Sequence, residues 1–153
     1  MSMLILVRHG DAEAGGSDDQ RALTQRGRDE IDRIGRWAAR NGIRVARIGH
    51  SGKRRAEETA AILAAHLSTP AGGVLEGLRP NDDPRIVARL IEETEELLLV
   101  VSHMPLVGRL AALLVAGDAD LDRFRIPTGS AIALVREGSV WSVGWMVTPE
   151  TVG

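Results

Sequence analysis

Apolar residues in this chain fall into short blocks separated by longer amphipathic stretches, and that alternation predicts the fold. The first block, Leu4-Ile5-Leu6-Val7, is apolar at successive positions, as a strand covered on both faces must be, and it stops at Arg8-His9-Gly10. A polar, glycine-bearing loop spans residues 10–20. Thr24 then reads as the N-cap of a helix ending near Asn41-Gly42, with Ile31, Ile34, Trp37 and Ala38 forming its apolar stripe. Residues 43–49 read as a second strand. Ser51 is placed to cap a helix reaching Leu67, buried through Ala56, Ala60, Leu63 and Leu67. Ser68-Thr69-Pro70-Ala71-Gly72-Gly73 breaks the pattern before a brief extended piece at Val74-Leu75. After a loop at residues 78–83, Asp83 caps a helix opened by Pro84 and buried through Ile86, Val87, Leu90 and Ile91. Residues 97–101 form another wholly apolar strand, and Pro105 starts a helix that runs through Val115 and stops at Gly117. Two final strands, 130–136 and 140–147, meet at Glu137-Gly138 as a hairpin at the sheet edge.

Strands alternating with helices predict an α/β protein: a three-layer α/β/α sandwich on a mostly parallel sheet with a C-terminal edge hairpin. Right-handed crossovers leave the carboxyl ends of the parallel strands along one edge, where such folds place their chemistry. His9, Ser51 with Arg55, and His103 thereby become neighbours despite their separation in sequence. The length of 153 residues fits one domain, residues 1–153.

Composition narrows the function. A formal net charge of -2 gives no bulk attraction to nucleic acid or to an anionic membrane, and 3% aromatic residues leave no platform for stacking bases. With no cysteine there is no disulfide, no Cys-ligated zinc and no thiolate nucleophile. No apolar run reaches the ~18 residues of a membrane helix, and the N-terminal block is too short for a signal segment. A cytoplasmic protein is the expectation.

The strand ends carry complementary chemistry. Arg8-His9 ends the first strand, His50-Ser51 leads from the second into Lys53-Arg54-Arg55, and Ser102-His103 ends the fourth. Guanidinium forks match phosphate oxygens, and a neutral imidazole can attack phosphorus. Arg55 falls in the first turn of a helix, where a cation opposes the helix dipole unless an anion is held there. Lys53 and Arg54 share that location and read as surface or rim charges. His50 reads as a strand-end residue, and His66, near a helix end, as a favourable dipole contact. His9 with Asp11 does not make a metal site, since no further ligands fall at metal spacing, and Gly10, Gly15 and Gly16 do not fit a dinucleotide-binding fingerprint. No metal or cofactor is called for.

Three segments together resemble the histidine phosphatase superfamily: Leu6-Val7-Arg8-His9-Gly10-Asp11-Ala12, Ser51-Gly52-Lys53-Arg54-Arg55-Ala56-Glu57-Glu58-Thr59-Ala60, and Val101-Ser102-His103-Met104-Pro105-Leu106-Val107. With Leu23-Thr24-Gln25-Arg26-Gly27-Arg28 between the first two, the match is similar to the small bacterial SixA-like phosphohistidine phosphatases and covers the chain from Met3 to about Trp145. The resemblance implies the phosphoglycerate mutase-like fold, His9 as phosphoryl acceptor, and Arg8, Arg55 and His103 as the phosphate pocket, with Ser51 beside them. Gly52 departs from the family's usual proline.

That resemblance implies a hydrolase working through a covalent phosphohistidine, without metal. The stretch 68–83 is too short for the helical lids of larger members, which favours a phosphohistidine phosphotransfer domain of a signalling protein as substrate. A small-molecule phosphate ester is the alternative, and a non-catalytic phosphohistidine-binding module is the reading from another class. Glu76, Asp82 and Asp83 are the carboxylates near the pocket that could serve as general acid. Asp83 also serves as a helix cap and Glu76 as a solvated charge.

Overall fold

The structure, a computed structural model, describes residues 2–153. Its strands are β1 (Ser2–Arg8), β2 (Arg47–His50), β3 (Ala71–Val74), β4 (Leu98–Ser102), β5 (Ala131–Glu137) and β6 (Val140–Val147). Between them run α1 (Gln25–Arg40), α2 (Arg54–Leu67), α3 (Arg85–Glu92) and α4 (Leu106–Ala116). The strands form one sheet in the order β3-β2-β4-β1-β5-β6. β1 to β4 are parallel; β5 runs antiparallel to β1, and β6 completes the edge hairpin.

The unbroken apolar strands explain the layers. Successive residues point to opposite faces, so Leu4 and Leu6 of β1, with Leu98 and Val100 of β4, enter a core beneath α3 and α4. Ile5 and Val7, with Leu99 and Val101, enter the core beneath α1 and α2. Each such fully buried side chain contributes about 1.5–3 kcal/mol by leaving water. Thr24 caps α1 as its sequence predicts, its hydroxyl accepting from the Gly27 N–H at 2.9 Å.

Several boundaries move. The second strand is Arg47–His50 rather than 43–49: Ile43 and Val45 pack on the α1/α2 core from an irregular segment that carries a single ladder-like bond, Ala46 N–H to Leu97 at 2.9 Å. β3 begins at Ala71, inside the stretch read as a breaker. The 10–20 loop contains a turn of 3-10 helix at Asp18–Gln20. α2 starts after Lys53 and not after Ser51. Ile86 lies on the solvent side of α3, 37% exposed. Among the described residues, no helix is long and apolar enough to cross a membrane.

Candidate active site

The carboxyl ends of β1, β2 and β4 lie side by side and bring His9, Ser51 and His103 into contact. The register carries Arg8 opposite Ser102, and the His9 N–H donates to the Ser102 carbonyl at 3.0 Å. The His9 and His103 rings sit 5.0 Å apart, tilted by 49°. Ser51 Oγ and His103 Nε2 are 2.6 Å apart. The same hydroxyl accepts from the Lys53 N–H at 3.3 Å, just ahead of α2, which begins at Arg54 with no side-chain cap.

His9 is held in one tautomer. Its Nδ1 lies 2.7 Å from the Gly10 carbonyl, which can only accept, so Nδ1 carries the hydrogen and the neutral ring keeps its lone pair on Nε2. Burial pushes His9 down to about 4; the Gly10 bond opposes this and the charges of Arg55, Arg8 and Arg21 reinforce it. His103 is pushed down to about 3, by burial first and then by His9, Arg55 and Lys53. When Ser51 donates to Nε2 of His103, the opposite nitrogen Nδ1 is a buried donor with no protein partner.

These depressed values predict a pH dependence of stability. An unfolded histidine titrates near pH 6.5, whereas the folded protein refuses both protons until about pH 4 and pH 3. The unfolded chain therefore binds more protons within that window, so stability is fully present above pH 6.5 and falls as pH drops towards 4. Urea midpoints at pH 7.5 and 4.5 should differ by roughly 2 kcal/mol or more in stability, and a His9→Asn, His103→Asn double variant should lose most of that difference. A wild-type midpoint that is flat across the range would contradict buried, neutral rings.

Cations surround the two rings. Arg8 donates through Nη1 to the Ile126 carbonyl at 2.8 Å. Arg55, its side chain 5% exposed, donates through Nη1 to the Asp18 carbonyl at 2.7 Å. The Nε atoms of both arginines are buried and have no protein partner. The anion that Arg55 needs in the first turn of α2 is supplied by the chain itself, since Asp18 pairs with it at 3.4 Å. Asp18 also pairs with Lys53, and Asp19 accepts from Lys53 at 2.6 Å. Asp18 is held down at about 2, chiefly by the hydrogen bond from Lys53.

Lys53 is therefore not a rim charge, since its side chain is only 6% exposed. Arg54 does lie outside, half exposed and paired with Glu58 at 3.5 Å. Asp18 and Asp19 were invisible as site residues in a polar loop; the available signal was the unmet need of Arg55 for an anion. His50 borders the pocket, and its Nδ1 accepts from the Gly52 N–H at 3.0 Å. Gly52 has φ +91°, closed to proline with its φ near −65°, and its donated hydrogen is one that proline lacks. The departure from the family's proline thus coincides with a turn that proline could not make. His66 is bonded to Asp32 at 2.7 Å, a tie between α2 and α1 rather than a dipole contact alone.

Two of the expected acids are engaged by main-chain N–H groups, and the third is exposed. Asp82 accepts from the Arg79 N–H at 2.9 Å, Asp83 accepts from the Arg85 N–H at 3.0 Å and pairs with its guanidinium, and Glu76 is exposed. Arg85 holds the Asp83 carboxyl below its ordinary range, opposite to what a general acid needs. Asp11 accepts from the Thr24 hydroxyl at 2.7 Å and so braces the start of α1. Among the described residues, no group of three or more His, Cys, Asp or Glu side chains is placed to hold a metal ion.

Known proteins resemble this chain in sequence and fold. The sequence profile of the histidine phosphatase superfamily (branch 1) matches residues 4–79. The chain is 32% identical over 154 residues to phosphohistidine phosphatase SixA of Escherichia coli (strain K12), covering 95% of this chain and 93% of that protein. It superposes on the solved structure of the protein histidine phosphatase SixA complexed with tungstate with a TM-score of 0.87, at 29% identity and 99% coverage of both chains. The alpha-ribazole phosphatase from Shigella flexneri, 17% identical over 96% of each chain, shares the fold with a TM-score of 0.79.

Proposed function

The chain belongs to the histidine phosphatase superfamily, and from that membership we propose that it is a phosphohistidine phosphatase, removing the phosphoryl group from a histidine of another protein through a phosphoenzyme on His9. The observation that carries this reading is the fixed tautomer of His9, which leaves Nε2 as the attacking lone pair among guanidinium groups. Nε2 forms a bond to phosphorus as the substrate's N–P bond breaks, and the leaving imidazole keeps that bond's electron pair. Arg8, Arg55 and the His103–Ser51 pair hold the non-bridging oxygens and meet the charge that spreads over them. Water then attacks the phosphoenzyme, releasing phosphate and restoring neutral His9. The reading implies no metal and places the protein in cytoplasmic signal transduction.

A site without a helical lid between α2 and α3 fits a protein substrate. Between α2 and α3 the chain offers only β3 and short turns, with no helical insertion to enclose a small metabolite. The test compares turnover of a phosphohistidine phosphotransfer domain, a phosphoserine peptide and a small phosphate ester. The phosphohistidine protein is expected to be hydrolysed fastest, in the presence of strong chelator, with vanadate or tungstate inhibiting competitively. Preference for the small ester would move the assignment to a phosphomonoesterase, and loss of activity on chelation that zinc or manganese restores would end the metal-free mechanism. Binding of the phosphoprotein without turnover would make the chain a recognition module.

A further inference from the structure

Lys53 presents a cation that the folded core does not need. Its side chain is buried beside Ser51, whose Oγ accepts from the Lys53 N–H at 3.3 Å, and it stands at the N-terminus of α2, where a positive charge opposes the helix dipole. A buried ammonium is costly unless an anion accompanies it. The anions here come from an unusual place: Asp18 and Asp19 belong to a segment, residues 13–20, that is solvent-exposed throughout and passes through two glycines of positive φ, Gly15 at 82° and Gly16 at 72°.

We propose that Lys53 is a phosphoryl-binding residue of this site, and that Asp18 is an internal anion which occupies Lys53 and Arg55 in the unliganded protein and is displaced by the incoming phosphoryl group. The inference rests on the reading of the pocket as a phosphoryl site. Burial is divided unequally across the ion pairs: the cations Lys53 and Arg55 are 6% and 5% exposed, while Asp18 and Asp19 are 59% and 51% exposed. The carboxylate is thus the partner that can leave. One carboxylate bridges both cations, so an anion taking its place meets both at once. A phosphoryl group has three oxygens and greater charge to offer the same donors. Released from Lys53, the segment keeps paired charge, since Asp19 also accepts from Arg79 at 3.2 Å and Asp18 lies 3.4 Å from Arg21. Ser51 Oγ, which accepts from the Lys53 N–H, lies 2.6 Å from His103 Nε2, and the charges of Lys53 and Asp18 both act on that ring.

The experiment measures binding of inorganic phosphate by calorimetry at fixed ionic strength, in the parent protein and in Lys53→Gln and Asp18→Asn. Loss of a charge-assisted donor should weaken phosphate about tenfold in Lys53→Gln. Removal of a mostly exposed competing charge should tighten phosphate about two- to fivefold in Asp18→Asn. Phosphate affinity in Lys53→Gln within twofold of the parent would overturn the proposal. Weaker binding in Asp18→Asn would also overturn it, by making the segment part of the site rather than its competitor. If Lys53→Gln does not fold, Asp18→Asn decides alone, because that carboxylate lies at the surface. Phosphate binding without phosphohistidine turnover would sink the proposed function and leave this inference standing, whereas a parent protein that does not bind phosphate would end both.

Discussion

Replacing His9 by Ala is expected to lower phosphohistidine turnover by roughly 10⁴-fold or more, since nucleophile deletions remove nearly all chemistry. No neighbouring side chain can stand in. His103 is 2% exposed, and its Nε2 is tied to Ser51. His50 has its Nδ1 engaged by the Gly52 N–H, and His50→Ala should keep most activity, with a modest loss from loosening the turn before Lys53 and Arg55. With a substrate carrying labelled phosphate, rapid quenching should trap label on the parent enzyme and none on His9→Ala. A phosphoramidate at His9 should lose its label in acid and keep it in base. A label stable to acid, or substantial turnover by His9→Ala, would remove the covalent histidine from the mechanism.

What the sequence made legible was whatever depends on local periodicity and on strand direction. Three of the four parallel strands, the helices between them and the hairpin follow from apolar runs and their punctuation, whereas β3 begins in glycine-rich chain that reads as a breaker, and once the strands are parallel the meeting of His9, Ser51 and His103 is a matter of topology. What stayed hidden depends on partners far along the chain. Ser51 has the position of a helix cap, yet its hydroxyl is claimed by a ring 52 residues away. Lys53 stands in a run of three cations, and only the fold places two carboxylates from residues 18 and 19 against it. Ile43 and Val45 are apolar enough for a strand, but they serve the core from a loop, because hydrophobicity records burial more faithfully than backbone pairing.

Alkyl phosphate esters should be poor substrates, slower than phosphohistidine by about 10²–10⁴ in kcat/KM, the range a positioned general acid supplies. Expelling an alkoxide requires a proton at the bridging oxygen. A phosphohistidine whose far nitrogen already carries hydrogen departs as neutral imidazole, and the transfer to His9 exchanges one N–P bond for another. The proposed function corresponds to the second case, and the candidate carboxylates are engaged or turned to solvent: Asp82 with the Arg79 N–H, Asp83 with Arg85, Asp18 with Lys53 and Arg55, and Glu76 exposed. Asp83 is, moreover, held below the ordinary carboxylate range by Arg85 and Asp18 at about 2 by Lys53, so neither has a proton to give near neutrality. Glu76→Gln, Asp82→Asn and Asp83→Asn should therefore leave phosphohistidine turnover nearly unchanged, and the slow ester reaction should not fall further in any of them. Measuring kcat/KM for both substrate types in the parent and the three variants tests this directly. Fast ester hydrolysis that collapses in one variant would identify that residue as the general acid and make the protein a small-molecule phosphomonoesterase.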